Sequence, residues 1–148
     1  MNTKRVLVAA FAVVVVVVGA LSASMMLANA SYNPHDGEKW RTDVSEASQL
    51  AQSEDSPVLV YVWMDGCSGC EQFNGQLQND GQLQGAVDKY VLVSTKLGEN
   101  PKLTQPYGVT STPTVVVIGT EGEMVAKFHP TQVDTASKLN EVYETATQ

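Results

Sequence analysis

Pro57-Val58-Leu59-Val60-Tyr61-Val62-Trp63 runs directly into Met64-Asp65-Gly66-Cys67-Ser68-Gly69-Cys70, and the reading of this stretch decides the rest of the chain. An apolar run of this length without polar alternation predicts a strand covered on both faces. The only two cysteines of the chain follow it, separated by two residues. A strand that ends in Cys-x-x-Cys at the start of a helix puts the first sulfur among unpaired backbone N–H groups, where the helix macrodipole favours a thiolate. Cys67 is then expected to be the accessible attacking thiolate. Cys70, one helical turn on and facing inward, is expected to be the resolving thiol. Two other readings compete. A structural disulfide is one, although closing so short a loop should stabilise by no more than about 2 kcal/mol. Metal binding is the other, but zinc needs four ligands, and His35 and His129, the only histidines, stand at no ligand spacing.

Further markers recur downstream. Trp63 lies four residues before Cys67; Asn100-Pro101 and Tyr107-Gly108-Val109 follow in order, and then Thr112-Pro113-Thr114. In this combination the chain from Pro57 to its end resembles the thioredoxin superfamily. The resemblance implies an α/β fold with a central mixed sheet of four or five strands flanked by helices. It also implies dithiol–disulfide exchange at Cys67 and Cys70, a cis-Pro113 against the sulfurs, and a substrate-binding surface made by Trp63, Gly66, Thr112 and Pro113. The sequence departs from the thioredoxin pattern at several points. Gly66 stands where thioredoxins have a second Trp, Ser68-Gly69 replaces their Gly-Pro, and Tyr61 and Ser94 fall where their buried acid and lysine align. With an export-like N-terminus, the chain is similar to extracytoplasmic thioredoxin-like proteins, including the end domains of membrane thiol-reductant carriers.

Lys4-Arg5, the uncharged run from Val6 to Leu21 and Ala28-Asn29-Ala30 have the three parts of a secretory signal peptide over residues 1–30, with cleavage expected before Ser31. An uncleaved N-terminal anchor is the competing reading, since no charge interrupts Val6 to Ala28. Either way an extracytoplasmic location, periplasmic or secreted, is expected. Residues 31–148 are long enough for one domain and carry sixteen acidic residues against seven basic ones, a formal charge of −9. That balance argues against nucleic acid and anionic membrane surfaces as partners.

Residues 31–42, polar and carrying Pro34 and Gly37, read as a tether or edge segment, with His35 an exposed loop residue and no functional role expected. The domain proper is expected over 43–148. Asp43-Val44-Ser45-Glu46 reads as a capping box ahead of a helix with Val44, Ala47, Leu50 and Ala51 on one face. Cys70, Phe73 and Leu77 give the helix after the cysteines its buried stripe. Leu83, Ala86 and Val87 suggest a further turn or two before a strand from Tyr90 to Thr95. Asn100-Pro101 reads as a cap with proline at the first helical position, and Leu103 and Tyr107 form that helix's inner face. Val115–Ile118 and Glu123–Phe128 read as a hairpin. Asp134 is placed to cap a last helix with Ala136, Leu139, Tyr143 and Ala146 inward. His129, after the last strand, reads as an edge residue, with a role beside the sulfurs as the alternative.

The expected function is a thiol–disulfide oxidoreductase, acting as a monomer on thiols or disulfides of exported proteins or on a membrane redox partner, with no bound cofactor. Neither Ser68 nor Gly69 is charged, and Asp65 and Glu71 disfavour a second negative charge nearby, which points to a reductant or isomerase-like protein. The alternative is a non-catalytic module with a permanent Cys67–Cys70 bridge, or a copper(I) carrier in which only His129 could add a ligand.

Overall fold

A computed structural model of the chain describes residues 31–36 and 39–148; the signal or anchor expected over 1–30 lies outside them. In chain order the elements are α1 (Val44–Glu54), β1 (Val58–Trp63), α2 (Ser68–Asn79), α3 (Gly81–Val87), β2 (Val91–Lys96), α4 (Pro101–Thr104), β3 (Thr114–Ile118), β4 (Met124–Phe128) and α5 (Thr135–Ala146). The strands form one four-stranded sheet in the order β2-β1-β3-β4. β1 runs parallel to β2 and antiparallel to β3, and β3–β4 is the expected hairpin. Among the described residues no helix is long and apolar enough to cross a membrane.

β1 is central and covered on both faces, which is why it shows no polar alternation. Its side chains still alternate by destination. Leu59 and Tyr61 join a cluster with Val115, Val117, Phe73, Leu77 and Leu139, under α2, α3 and α5. Val60 and Val62 join a second cluster with Val91, Val93, Val116 and Leu103, under α1 and α4.

The helix boundaries follow local chemistry. Asp43 Oδ1 accepts from the N–H groups of Ser45 (2.7 Å) and Glu46 (3.1 Å), which satisfies two otherwise orphan donors of α1. Glu46 completes no reciprocal bond in the expected capping box; its carboxylate lies 3.5 Å from Arg41 Nε instead. Asp80 ends α2 and caps α3, accepting from Gln82 and Leu83 N–H. Asn100 is the N-cap residue of α4 but makes no side-chain cap bond, and its amide NH2 donates to Thr95 Oγ1 at 3.1 Å. Asp134 caps α5 through the Ser137 N–H, and Val142 joins the inward face that the sequence assigned to Ala136, Leu139, Tyr143 and Ala146, Tyr143 being only half-buried.

Of the two readings of the segment before α1, tether or edge segment, the structure follows the second. Trp40 is 0% exposed and ranks among the largest buried side chains, its ring edge-to-face with Tyr61 at 6.0 Å. Arg41 pairs with the outer edge of β2, donating to Leu92 and accepting from Ser94, both at 2.9 Å. Lys39 and Tyr32 both bond Asp88 at the end of α3. An isolated tryptophan in a polar run carries no periodicity, so nothing local to the sequence announced that it fills the core.

Candidate redox site

The site hangs on the turn between β1 and α2. Gly66 takes φ +68, in the left-handed region that glycine enters without a Cβ clash, and so lets the chain leave the sheet and enter the helix. Cys67 is the N-cap of α2, and its sulfur accepts from the Cys70 N–H at 3.1 Å. The two cysteines are joined in a disulfide. Cys67 is half-buried, whereas Cys70 is 3% exposed and lies in the apolar cluster beside Phe73.

The Thr112–Pro113 peptide bond is cis. Thr112 Oγ1 lies 3.5 Å from Cys67 Sγ and donates to it. Pro113 packs against α2 so closely that a Cβ at Gly69 would sit 2.9 Å from its Cδ, and Thr131 Oγ1 would be 3.9 Å away. Gly69 therefore matters by what it lacks, which sequence reading missed: it registered Gly69 only as an uncharged spacer.

Below the disulfide, Tyr61 is wholly buried, with its hydroxyl 3.5 Å from the Cys70 carbonyl and its ring edge-to-face with Phe73 at 5.1 Å. Burial pushes the Tyr61 hydroxyl well above the usual phenol range, so it stays protonated. Tyr61 pairs directly across β1–β2 with buried Ser94. The two positions flagged as departures thus face each other, and neither offers a titrating group at neutral pH.

Three polar neighbours were read differently from the sequence alone. Asp65 does not stand as a bare negative charge, since its carboxylate is bonded by Lys96 Nζ, and that bond holds the Lys96 ammonium above its ordinary pKa. The ammonium also lies 5.9 Å from the Trp63 ring centre. His129 does more than sit at an edge. Its Nδ1–H donates to the Pro113 carbonyl (2.6 Å), leaving Nε2 to accept from the Ser111 hydroxyl (3.4 Å), so it braces the loop that meets the sulfurs. His35 is exposed as expected, but its ring packs edge-to-face on Trp63 at 4.3 Å. Of the predicted surface residues, Thr112 lies at the Cys67 sulfur and Pro113 lies against Gly69 of α2. Gly66 is open, with nothing within 4 Å of its Cβ position, and Trp63 is half-buried beside Cys67 in the cluster. Among the described residues, no group of three or more His, Cys, Asp or Glu side chains is placed to hold a metal ion.

The model of the thioredoxin-like domain matches residues 44–147. The chain belongs to the thioredoxin-like family. Thioredoxin of Rickettsia typhi is 32% identical over 77 residues, covering 51% of this chain and 70% of that protein. Among solved structures, the solution structure of a thioredoxin from Thermus thermophilus superposes with a TM-score of 0.58 at 26% identity, covering 72% of this chain and 87% of that one. The oxidised C-terminal domain of DsbD from Neisseria meningitidis gives a TM-score of 0.57 at 21% identity, covering 72% and 98%. Membership in this family, with the cysteine pair at the head of α2, makes the protein a thiol–disulfide oxidoreductase.

Proposed function

We propose that Cys67 is the nucleophile and Cys70 the resolving thiol of an extracytoplasmic reductant or isomerase-like oxidoreductase. One observation carries the assignment: the Cys67 sulfur is partly open to solvent at the head of α2 and receives two donors, while Cys70 is buried behind it. In the reduced protein the Cys67 thiolate attacks a substrate disulfide, forming one S–S bond to the substrate and releasing the substrate's other sulfur as thiolate. Cys70, once deprotonated, attacks Cys67, restores the internal disulfide and frees the second substrate sulfur. The Cys70 N–H, the helix terminus and the Thr112 hydroxyl favour negative charge on Cys67. Substrates lie along Thr112 and Pro113, with the Thr112 backbone offering strand-like hydrogen bonds.

The reductant direction rests on the uncharged Ser68-Gly69 pair and on Glu71 in the first turn of α2. Lys96 offsets Asp65, so that residue no longer contributes to the argument as the bare sequence suggested. The expected potential is closer to roughly −270 mV than to roughly −120 mV, and a value above about −150 mV would make the protein a disulfide donor. Cys70→Ser should accumulate mixed disulfides with exported proteins on non-reducing gels, and Cys67→Ser should not. Equal trapping by both variants would overturn the assignment.

The location is read from the signal-like residues 1–30. A mature N-terminus at Ser31, read by sequencing the protein from an exporting host, would support it; an intact protein facing the cytoplasm would refute it.

A further inference from the structure

Asn74 lies on α2 four residues after Cys70, and its Nδ2 is 3.0 Å from His35 Nε2. Its Oδ1 is buried and has no hydrogen-bond partner among the described residues. An amide with one buried end unmatched marks a place where a second arrangement is available, because turning the amide over exchanges donor and acceptor at the same position. His35 also packs edge-to-face on Trp63, the last residue of β1. One ring from the N-terminal segment therefore touches both elements from which the Met64–Cys67 turn is suspended.

We propose that His35 is a positioning residue of the redox site, a proton-dependent clasp that ties the end of β1 to α2 across the turn bearing Cys67. The clasp builds on the thiol–disulfide reading above. With a neutral ring that carries its hydrogen on Nδ1, Nε2 accepts from the Asn74 amide and Oδ1 is left without a partner. With a protonated ring, Nε2 carries a hydrogen and can only donate, so the Asn74 amide turns over and Oδ1 accepts a charge-assisted bond, the amide NH2 taking the buried place that Oδ1 leaves. The imidazolium also gains a cation–π attraction to the Trp63 ring. Both changes tighten the clasp on protonation.

The charged groups on the elements packed against His35 are few. Its own segment carries Asp36, Glu38, Lys39 and Arg41, Lys39 being held by Asp88 at 2.8 Å and Arg41 lying 3.5 Å from Glu46. β1 has none, and α2 has Glu71 alone. Beyond β1 stands the Asp65–Lys96 pair, whose ammonium is a second cation near the Trp63 ring. Reduction adds a negative charge at Cys67, which favours the protonated clasp. By reciprocity a proton on His35 favours the reduced form to the same degree.

The test is an NMR titration of the His35 ring and the Asn74 side-chain amide in the full chain, in the disulfide and dithiol forms. The dithiol–disulfide equilibrium with glutathione is measured alongside, from pH 5 to 8. In the disulfide form the Asn74 amide signals should follow the His35 titration. The His35 midpoint should lie higher in the dithiol form, by enough to change the glutathione equilibrium about twofold across that range beyond the dependence set by the thiols themselves. His35→Gln should abolish that extra dependence and keep the fold, since glutamine can still bond Asn74. An Asn74 amide indifferent to His35 in the disulfide form overturns the clasp, and that outcome needs no redox activity at all. Equal midpoints in both redox states, with His35→Gln matching wild type at every pH, overturn the positioning role. Failure of the wild type to exchange disulfides would instead refute the proposed function, and the disulfide-form titration would still decide the clasp.

Discussion

The two faces of the sheet are built differently. The face under α2, α3 and α5 is aromatic and continuous, with Trp40, Tyr61, Phe73 and Tyr90 buried in one cluster that includes Cys70, and ring pairs at 5–6 Å. The face under α1 and α4 is aliphatic and smaller, made of valines with Ala47 and Leu103, and α4 covers it with only four residues. A cavity of about 290 Å³, lined by Val44, Ala51, Val58, Leu103, Tyr107 and Ile118 among others, remains on that side. Rigid packing is therefore concentrated behind the sulfurs, where a shift of the α2 terminus would move the reacting atoms.

The largest expected difference between the faces is in large-to-small substitution. Phe73→Ala, at a site with no exposure, should lower the unfolding free energy by about 3–5 kcal/mol, whereas Leu103→Ala beside the cavity should cost about 2 kcal/mol. Urea unfolding measures both, and equal losses would break the contrast.

Two glycines of α2 sharpen it further. Gly69→Ala forces its Cβ against the Pro113 ring, so the Thr112–Pro113 loop must give way. The expected cost is about 1–3 kcal/mol, with slowed disulfide exchange. Gly75→Ala meets nothing within 4 Å in the same helix and should stabilise by about 0.5–1 kcal/mol. Thermal melts with an insulin-reduction assay would separate the two, and a silent Gly69→Ala would mean that the loop yields freely.

The smallest effect at neutral pH belongs to the buried tyrosines. Burial raises the pKa of both Tyr61 and Tyr90, and both lie on the aromatic face. A folded-state pKa above the unfolded value gives stability that is fully present below about pH 10 and lost as pH rises beyond it. Tyr61→Phe should change stability at pH 7 by no more than about 1 kcal/mol and should weaken the alkaline loss. A wild type whose stability is flat to pH 11 would contradict the burial argument.

Much of this architecture could be read from local pattern. The strand Val58–Trp63, the helix opened by Cys67, the stripe Cys70, Phe73 and Leu77, and the caps Asp43 and Asp134 each rest on chemistry within a few residues. The structure realises them because strand burial, helix capping and amphipathic spacing are short-range effects. Asn100 stands at the N-cap of α4 as read, with its side-chain NH2 donating to Thr95 and no side-chain cap bond made.

What the chain order by itself determined is thus the redox centre and the succession of elements that presents it, since Cys-x-x-Cys, the apolar strand before it and Thr112-Pro113 carry their meaning in the residues themselves. Only the tertiary structure decided which side chains surround that centre. Trp40 under Tyr61, Gly69 against Pro113, Lys96 on Asp65, His129 on the Pro113 carbonyl and His35 on Trp63 all join residues that are 16 to 44 positions apart. Contacts of that range leave no periodic trace in the sequence, because each depends on how the sheet register and helix packing bring two otherwise unremarkable positions face to face.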